Sequence, residues 1–396
     1  MTTDGPTSGF PSAARTTDSE FDTVVIGGGI TGMCVSWFLA QEGAAVVCVD
    51  DGGNAGSGAN AGSLHVQMQS RVLRLFPQRM PDYEKTVAIY PRAVDFWQRL
   101  AAELGEDIDL RIGGGLMIAQ SDAEVRLLQR KCAAETRNGV DSAFIGASEL
   151  LSIAPYLHSG VRGAVYCAAE GQLNPLLANA VIRRRLRRSG AQLRERETVL
   201  RIDRDARAYR VILAGGEIRA GRVVIAAGAG SGPIAATLGL RLPTRAEPLH
   251  MNVTEATTPF LDGLLQHAAQ PITVKQLHSG QVLVGGGWPA RASGAAPVPE
   301  ILRASLTGNL RLAQALVPRL AGLQVLRCWA GVNPTIDLLS VLGEVTSLPG
   351  VFIAVPGDAG YTLGPYCARL LVDSMYGRRP DFPLENFSPM RFGDRP

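Results

Sequence analysis

The sequence predicts an α/β fold, and three stretches in particular predict it. The first, "FDTVVIGGGITGMCVSWFLAQEGAAVVCVDD" from Phe21, reads as a buried strand, a glycine turn, a helix stopping at Gly43 and a second strand closing on two acids. The second, "GRVVIAAGAGSGP" from Gly221, is an apolar strand running into small residues, where a backbone must approach something closely. The third, "VFIAVPGDAGYTLGP", ends a strand in Gly357 and Gly360 and starts a helix near Thr362 to Pro365. Units of this kind build a parallel sheet with helices packed on it.

Between them the elements follow in order. "PDYEKTVAIYPRAVDFWQRLAAELG" carries one long helical pattern, with Phe96, Leu100 and Leu104 on one side. "LRIGGGLMIAQ" and "SDAEVRLLQRKCAAETRNG" read as strand and helix, Ser121 being the N-cap. "RGAVYCAAEGQLNPLLANAVIRRRLRRSG" supplies a strand, a loop and a helix starting near Pro175. Short strands follow, with an antiparallel hairpin at Gly215-Gly216, and from Leu242 to about Arg327 strands alternate with the helix "ASLTGNLRLAQALVP".

The 396 residues leave room for a large core and two interleaved or successive domains, and 46% hydrophobic with 19% charged is ordinary for a soluble protein. A net charge of +3 gives no reason to expect nucleic acid or an acidic membrane as partner. The basic run from Arg183 to Arg188 reads as the solvated face and end of a helix, where positive charge suits the dipole. Six cysteines (Cys34, Cys48, Cys132, Cys167, Cys328, Cys367) are scattered without a C-x-x-C pair or a His cluster. That spacing predicts no metal and no disulfide framework, and a cytoplasmic setting. Residues 1–20 are polar and rich in Thr, Ser, Pro and Gly, and read as a disordered lead-in rather than a signal peptide. No apolar run approaches the ~18 residues of a membrane span.

In "GGGITG", Gly27, Gly29 and Gly32 fill the G-x-G-x-x-G positions around Ile30 and Thr31. The first permits the tight turn, the second lets backbone approach a pyrophosphate, and the third packs helix against sheet. Asp50, with Asp51 as the near alternative, stands where an acid accepts from a ribose hydroxyl, which disfavours NADP. NAD and FAD both remain compatible with this unit alone. A ligand touched by the first, middle and last segments of a chain is a resident cofactor, and that favours FAD.

With these pieces in view the chain resembles the D-amino-acid oxidase superfamily of FAD-dependent amine oxidoreductases, in the glycine oxidase and sarcosine oxidase branch. It is similar to the flavin subunits of opine oxidase and D-hydroxyproline dehydrogenase. The matching segments are "DTVVIGGGITG…VVCVDD", "SGANAGSLH", "EGQLNPLLANA", "VVIAAGAGS", "QLHSGQVLVGGG", "RCWAGVNPTID" and "LPGVFIAVPGDAGYTLGPYCARLL", spanning nearly the whole chain in family order.

The resemblance implies a Rossmann-like FAD-binding domain of the glutathione-reductase type, interleaved with an antiparallel-sheet substrate domain. The expected division gives 21–85, 145–240 and 328–396 to the first and 86–144 and 241–327 to the second. It also implies that Gly27, Gly29, Ile30, Thr31 and Gly32 lie under the pyrophosphate and that Asp50 or Asp51 takes the adenosine ribose. Ser57, Asn60, Ala61, Gly62, Ser63 and Leu64 would border pyrophosphate and flavin. Val199 would meet the adenine, Ala227 and Gly228 the dinucleotide, and Asp358, Gly360, Tyr361, Thr362 and Leu363 the flavin. His65 could face the flavin.

The implied reaction is hydride transfer from a carbon beside an amine nitrogen, with oxygen, a quinone or a protein partner as electron acceptor. A partner would make the chain one subunit of a hetero-oligomer. Where many relatives read "WAGLRP", using the arginine to grip a substrate carboxylate, this chain has "WAGVNP" and Asn333. Either another group holds the carboxylate, with Lys275, Arg245, His250 and Tyr361 as candidates, or the substrate is an amine whose carboxylate is absent, masked or distant.

Overall fold

The computed structural model describes residues 20–53, 56–205, 208–292 and 298–393. The expected lead-in lies outside them, apart from Glu20, which opens the first strand.

Two sheets of eight strands organise the described residues. At the centre of the first lies β1 (Glu20–Ile26), parallel to β2 (Val46–Asp50) on one side and to the strand Gly216–Ile225 on the other. The Val/Ile runs in these strands are covered on both faces, as a central parallel sheet requires. Gln192–Glu195 extends the sheet beyond β2, and Val351–Val355 extends it beyond Gly216–Ile225. The hairpin expected at Gly215-Gly216 joins Ala208–Leu213 to Gly216–Ile225.

Between β1 and β2 runs α1 (Ile30–Gln41), whose residues Ile30 to Leu39 are all buried. Such a helix has no polar stripe because it is covered all round. The sheet, the helix Gly360–Met375 and the helix Pro175–Arg188 pack on it. Each buried Leu, Val or Phe there contributes about 1.5–3 kcal/mol.

The second sheet runs Val325–Thr335, Arg245–Ala256, Gln281–Gly285, Thr273–Gln276, Leu264–His267, Gly115–Ala119, Gly163–Cys167 and Ala143–Gly146. Its pairs are antiparallel except for Leu264–His267 beside Gly115–Ala119. Of these strands, Gly163–Cys167 lies within the expected 145–240 segment of the first domain, and Val325–Thr335 runs across the expected 328 boundary.

The single long helix expected from Pro81 is two helices, Met80–Glu84 and Ile89–Leu104. Pro91 explains the break, since a proline is tolerated in a helix's first turn but not in its interior. The Thr86 hydroxyl donates to the Tyr83 carbonyl at 3.0 Å in the gap. Ser121 does cap Asp122–Arg137 in a reciprocal box with Glu124, and Asn174 caps the helix that starts at Pro175. The basic run pairs at the surface: Arg183 and Arg187 each lie 2.6 Å from Glu195, and Arg184 meets Glu106.

Candidate active site

The glycine turn between β1 and α1 is built for close approach. Gly27 has φ +109°, and a Cβ there would stand 2.5 Å from the Ala226 carbonyl oxygen. At Gly32 a Cβ would meet the Gly27 carbonyl oxygen at 1.8 Å, so only hydrogen lets α1 seat on the turn. The Gly28 amide donates to Asp50 Oδ1 at 3.2 Å and the Ile30 amide to Ser57 Oγ at 2.9 Å. Burial pushes the Asp50 carboxyl up, against the pull of the Gly28 amide. Asp51 instead accepts from the Gly53 amide at the exposed side.

This turn forms part of the wall of a cavity of about 580 Å³ shared by both sheets. From the first sheet and its turns come Gly27, Gly29, Ile30, Thr31, Asp50, Asp51, Val199, Ala227, Gly228, Asp358, Gly360, Tyr361 and Thr362, and from the loop after β2 come Ser57, Asn60, Ala61, Ser63 and His65. Lys275 and Asn333 close it from the second sheet. Gly32, Gly62, Leu64 and Leu363 stand behind this surface: Gly62 presses on Leu173, while Leu64 and Leu363 belong to the core.

The segment from Ser63 to Met68 is held from behind by carboxylates. Ser63 and Leu64 pair with Gly171–Gln172. The Val66 and Gln67 amides then donate to Glu170 Oε1 at 2.9 and 3.1 Å, and the Met68 amide to Glu135 Oε1 at 2.6 Å. Burial pushes the Glu170 carboxyl up, but His65 and those amides outweigh it and hold it below the usual range. Glu135 is paired with the equally buried Lys131 at 2.7 Å. On the cavity side, His65 Nδ1 lies 3.8 Å from Glu170 Oε1 without a hydrogen bond among the described residues.

Asn333 Nδ2 donates to Asp358 Oδ1 at 3.1 Å. Burial pushes the Asp358 carboxyl up, with Arg71 opposing it. Lys275 is 1% exposed, and burial brings its ammonium down to about 7. Its Nζ donates to the Ala61 carbonyl, tying the second sheet to the loop beside the cradle.

Two expected carboxylate-binding candidates do not line the cavity, and a third lines it with its hydroxyl engaged elsewhere. His250 is fully buried, with Nε2 2.9 Å from Asn252 Oδ1. Glu247, Leu249 and Met251 of its strand line the cavity, so alternation turns His250 to the opposite face. Arg245 is exposed near the strand's start and does not line the cavity. Tyr361 lines it, but its hydroxyl lies within hydrogen-bonding distance of the Pro175 carbonyl and of Asn179 Oδ1, to one of which it donates, and its ring stacks on Trp97 at 5.7 Å. Sequence reasoning missed Arg71, Arg74, Glu247 and Gln266, which all line the cavity. The alternation in "EPLHMNV" is the signal that could have preferred Glu247 and Met251 to His250.

Among the described residues, no group of three or more His, Cys, Asp or Glu side chains is placed to hold a metal. Among the described residues, no helix is long and apolar enough to cross a membrane.

The fold and the cavity define an α/β protein with a glycine cradle of the dinucleotide-binding type, faced by a second sheet. The residues fit FAD. The glycine turn has room for backbone contact only, and Ala359 leaves the helix Gly360–Met375 without a side-chain cap, so its first-turn amides are open to an anion or carbonyl. The family model for DAO, FAD dependent oxidoreductase, matches residues 22–374, and the chain belongs to that family of FAD-dependent oxidoreductases.

Similar proteins include the beta chain of sarcosine oxidase from Arthrobacter sp, 25% identical over 93% of this chain and 91% of that one. An opine oxidase subunit from Rhizobium meliloti is 25% identical over 94% and 98%, and glycine oxidase of Bacillus licheniformis 28% over 90% and 94%. Glycine oxidase from Geobacillus kaustophilus superimposes with a TM-score of 0.82 at 24% identity, covering 94% of this chain and 99% of that one, which supports the shared fold.

Proposed function

We propose that the chain oxidises the carbon–nitrogen bond of an amine or amino acid to an imine. One observation carries the reading: a single cavity joins the dinucleotide cradle to a polar wall formed by His65, Lys275, Asn333 and Asp358. The names of the relatives, oxidases of sarcosine, opines and glycine, support the same class. When bound, FAD supplies a hydride acceptor.

This chain's residues do the rest. Gly27, Gly29 and the first-turn amides of α1 would hold the pyrophosphate, and Asp50 would take the adenosine ribose in preference to Asp51. Gly360 and Thr362 would border the flavin. The second sheet closes over the reacting carbon with Leu249, Met251 and Leu283, whose apolar surface excludes water. An amine must be uncharged to push electrons toward its carbon, and a desolvated site favours that form. Lys275 Nζ, brought near neutrality by burial, is the cavity-lining group suited to hold the proton the amine gives up.

Purified protein is expected to be yellow, and a panel of amines, amino acids and opines is expected to bleach its flavin band without oxygen. A panel in which no member bleaches it would remove the reading. All six cysteines are free, in keeping with a cytoplasmic setting.

A second reading makes the chain one subunit of a hetero-oligomer that passes electrons to a partner. Two relatives are named as subunits, and the second sheet ends in Val325–Thr335, where Val325 and Leu326 are exposed at an edge. Co-purification from the native host tests it; a stable monomer that reacts readily with oxygen would overturn it.

A further inference from the structure

We propose that the strands Arg245–Ala256 and Gln281–Gly285 carry a subsite for a hydrocarbon arm, so that the substrate is an amine with an extended apolar substituent. This rests on the amine-oxidation reading above, and it gives Leu249, Met251 and Leu283 a task beyond excluding water.

The cavity face of the second sheet is divided in two. Its polar half is Gln266, Thr273 and Lys275, on the paired strands Leu264–His267 and Thr273–Gln276. Its apolar half is Leu249, Met251 and Leu283, on the paired strands Arg245–Ala256 and Gln281–Gly285. The halves meet where Lys275 and Leu283 are direct partners across antiparallel strands. An amine nitrogen at Lys275 thus has apolar surroundings on one side of it.

The apolar half has no partner of its own. On the opposite face of the same sheet, Leu265, Val274, Val282 and Val284 pack into a hydrophobic core with Ala313 and Leu316. Leu249, Met251 and Leu283 join none of the hydrophobic cores of the described residues. Apolar side chains turned from every core and into a cavity gain free energy by covering an apolar ligand. Leu249 and Met251 are successive residues on one strand face, so the lining runs about 7 Å along the strand, enough for several methylenes. Its floor is also low. A Cβ at Gly285 would stand 2.0 Å from Met251 Sδ, so Met251 lies across the glycine instead of standing into the cavity. Gly286 and Gly287 continue the lining without side chains.

The test is titration of the FAD-loaded protein with acetamide, butyramide and hexanamide, followed by the shift of the flavin absorbance band. These probes carry no charge and no amine to oxidise. Affinity is expected to rise about two- to fourfold per methylene, and at least about tenfold across the series. Gly285→Ala is expected to lift Met251 into the cavity, lowering hexanamide affinity roughly tenfold and acetamide affinity less than about twofold. The fold should bear that change, because the new Cβ meets the end of a flexible side chain. Leu283→Ser is expected to flatten the series while flavin content holds. Side chains that only cover the dinucleotide predict the opposite: Leu283→Ser loses flavin and the slope stays. That pattern, a flat series in the parent, no binding of hexanamide, or Gly285→Ala with the parent's slope would overturn the proposal. If Leu283→Ser does not fold, Gly285→Ala decides. The underlying reading fails separately. A steep amide series with no amine able to bleach the flavin would remove amine oxidation and leave the subsite. Ethylamine and hexylamine bleaching it equally fast, beside a flat amide series, would do the reverse.

Discussion

The two walls of the cavity are made in different ways. The cradle on the first sheet is made of backbone: three glycines in one turn, the first amides of two helices, and an acid at a strand's end. The facing wall is made of side chains, with Glu247, Lys275 and Asn333 from the second sheet, Arg71 from the helix Ser70–Leu75 and Asp358 from the turn after Val351–Val355. A backbone site tolerates almost no change in its own residues and reads one ligand. A side-chain site can be rebuilt one residue at a time.

Substitutions can break or sharpen that contrast. The largest effect is expected in the cradle. Gly32→Val places carbon where the Gly27 carbonyl oxygen stands, 1.8 Å from the ideal Cβ position. The turn must open, at a cost of about 1–3 kcal/mol or more, and the protein is expected to purify without flavin. The flavin-to-protein ratio checks it; a yellow, fully loaded variant would mean that the turn is not the pyrophosphate site.

Lys275 comes next, because its charge is suppressed by burial. The folded chain holds the ammonium only below about 7, while the unfolded chain holds it up to the ordinary 10.5. Between those values the unfolded state binds more protons, so stability rises with pH across that window, by on the order of 4 kcal/mol. Lys275→Met is expected to flatten that rise in a series of melting curves from pH 7 to 10. An unchanged slope would show that Lys275 keeps its charge in the fold.

His250 tests the correction to the second wall. As a core residue bonded to Asn252, it is expected to cost about 2–4 kcal/mol when changed to alanine, without altering which amines bleach the flavin. Its ring is held below its ordinary 6.5 by burial, so its contribution is full above that value and falls as the pH drops below it. A shift in substrate preference on replacement would return His250 to the site. The smallest effect is assigned to Tyr361→Phe. Losing the hydroxyl's bond to Pro175 or Asn179 is worth about 1 kcal/mol in denaturant unfolding, with kcat/KM for the preferred amine retained.

The same contrast explains what was legible in the sequence. Glycines are read easily where a turn or a close approach demands them, which is why Gly27, Gly29 and Gly32 point to a dinucleotide by their spacing alone. Asp50 was legible because an acid closing the second strand has a fixed place in that unit. The Ser121 cap and the hairpin at Gly215-Gly216 were local as well. Arg71 and Glu247 were not, since they lie 176 residues apart and meet only when the helix Ser70–Leu75 is laid against the strand Arg245–Ala256. His250 was misread by one position, because a strand's faces alternate and composition does not say which face is inward. The sheet memberships of Gly163–Cys167 and Val325–Thr335 were hidden for a related reason: pairing partners distant in sequence decide them.

One feature behind the cavity extends this lesson. Glu170 and Glu135 grip the amides of Val66, Gln67 and Met68 much as a neighbouring strand would, and Lys131 anchors Glu135 from its own helix. The segment that follows cavity-lining His65 is thus held in part by a brace rooted in Asp122–Arg137, a helix that lines no part of the cavity. A change in the length or tilt of that remote helix would therefore reach the cavity wall, through the amides its carboxylate holds.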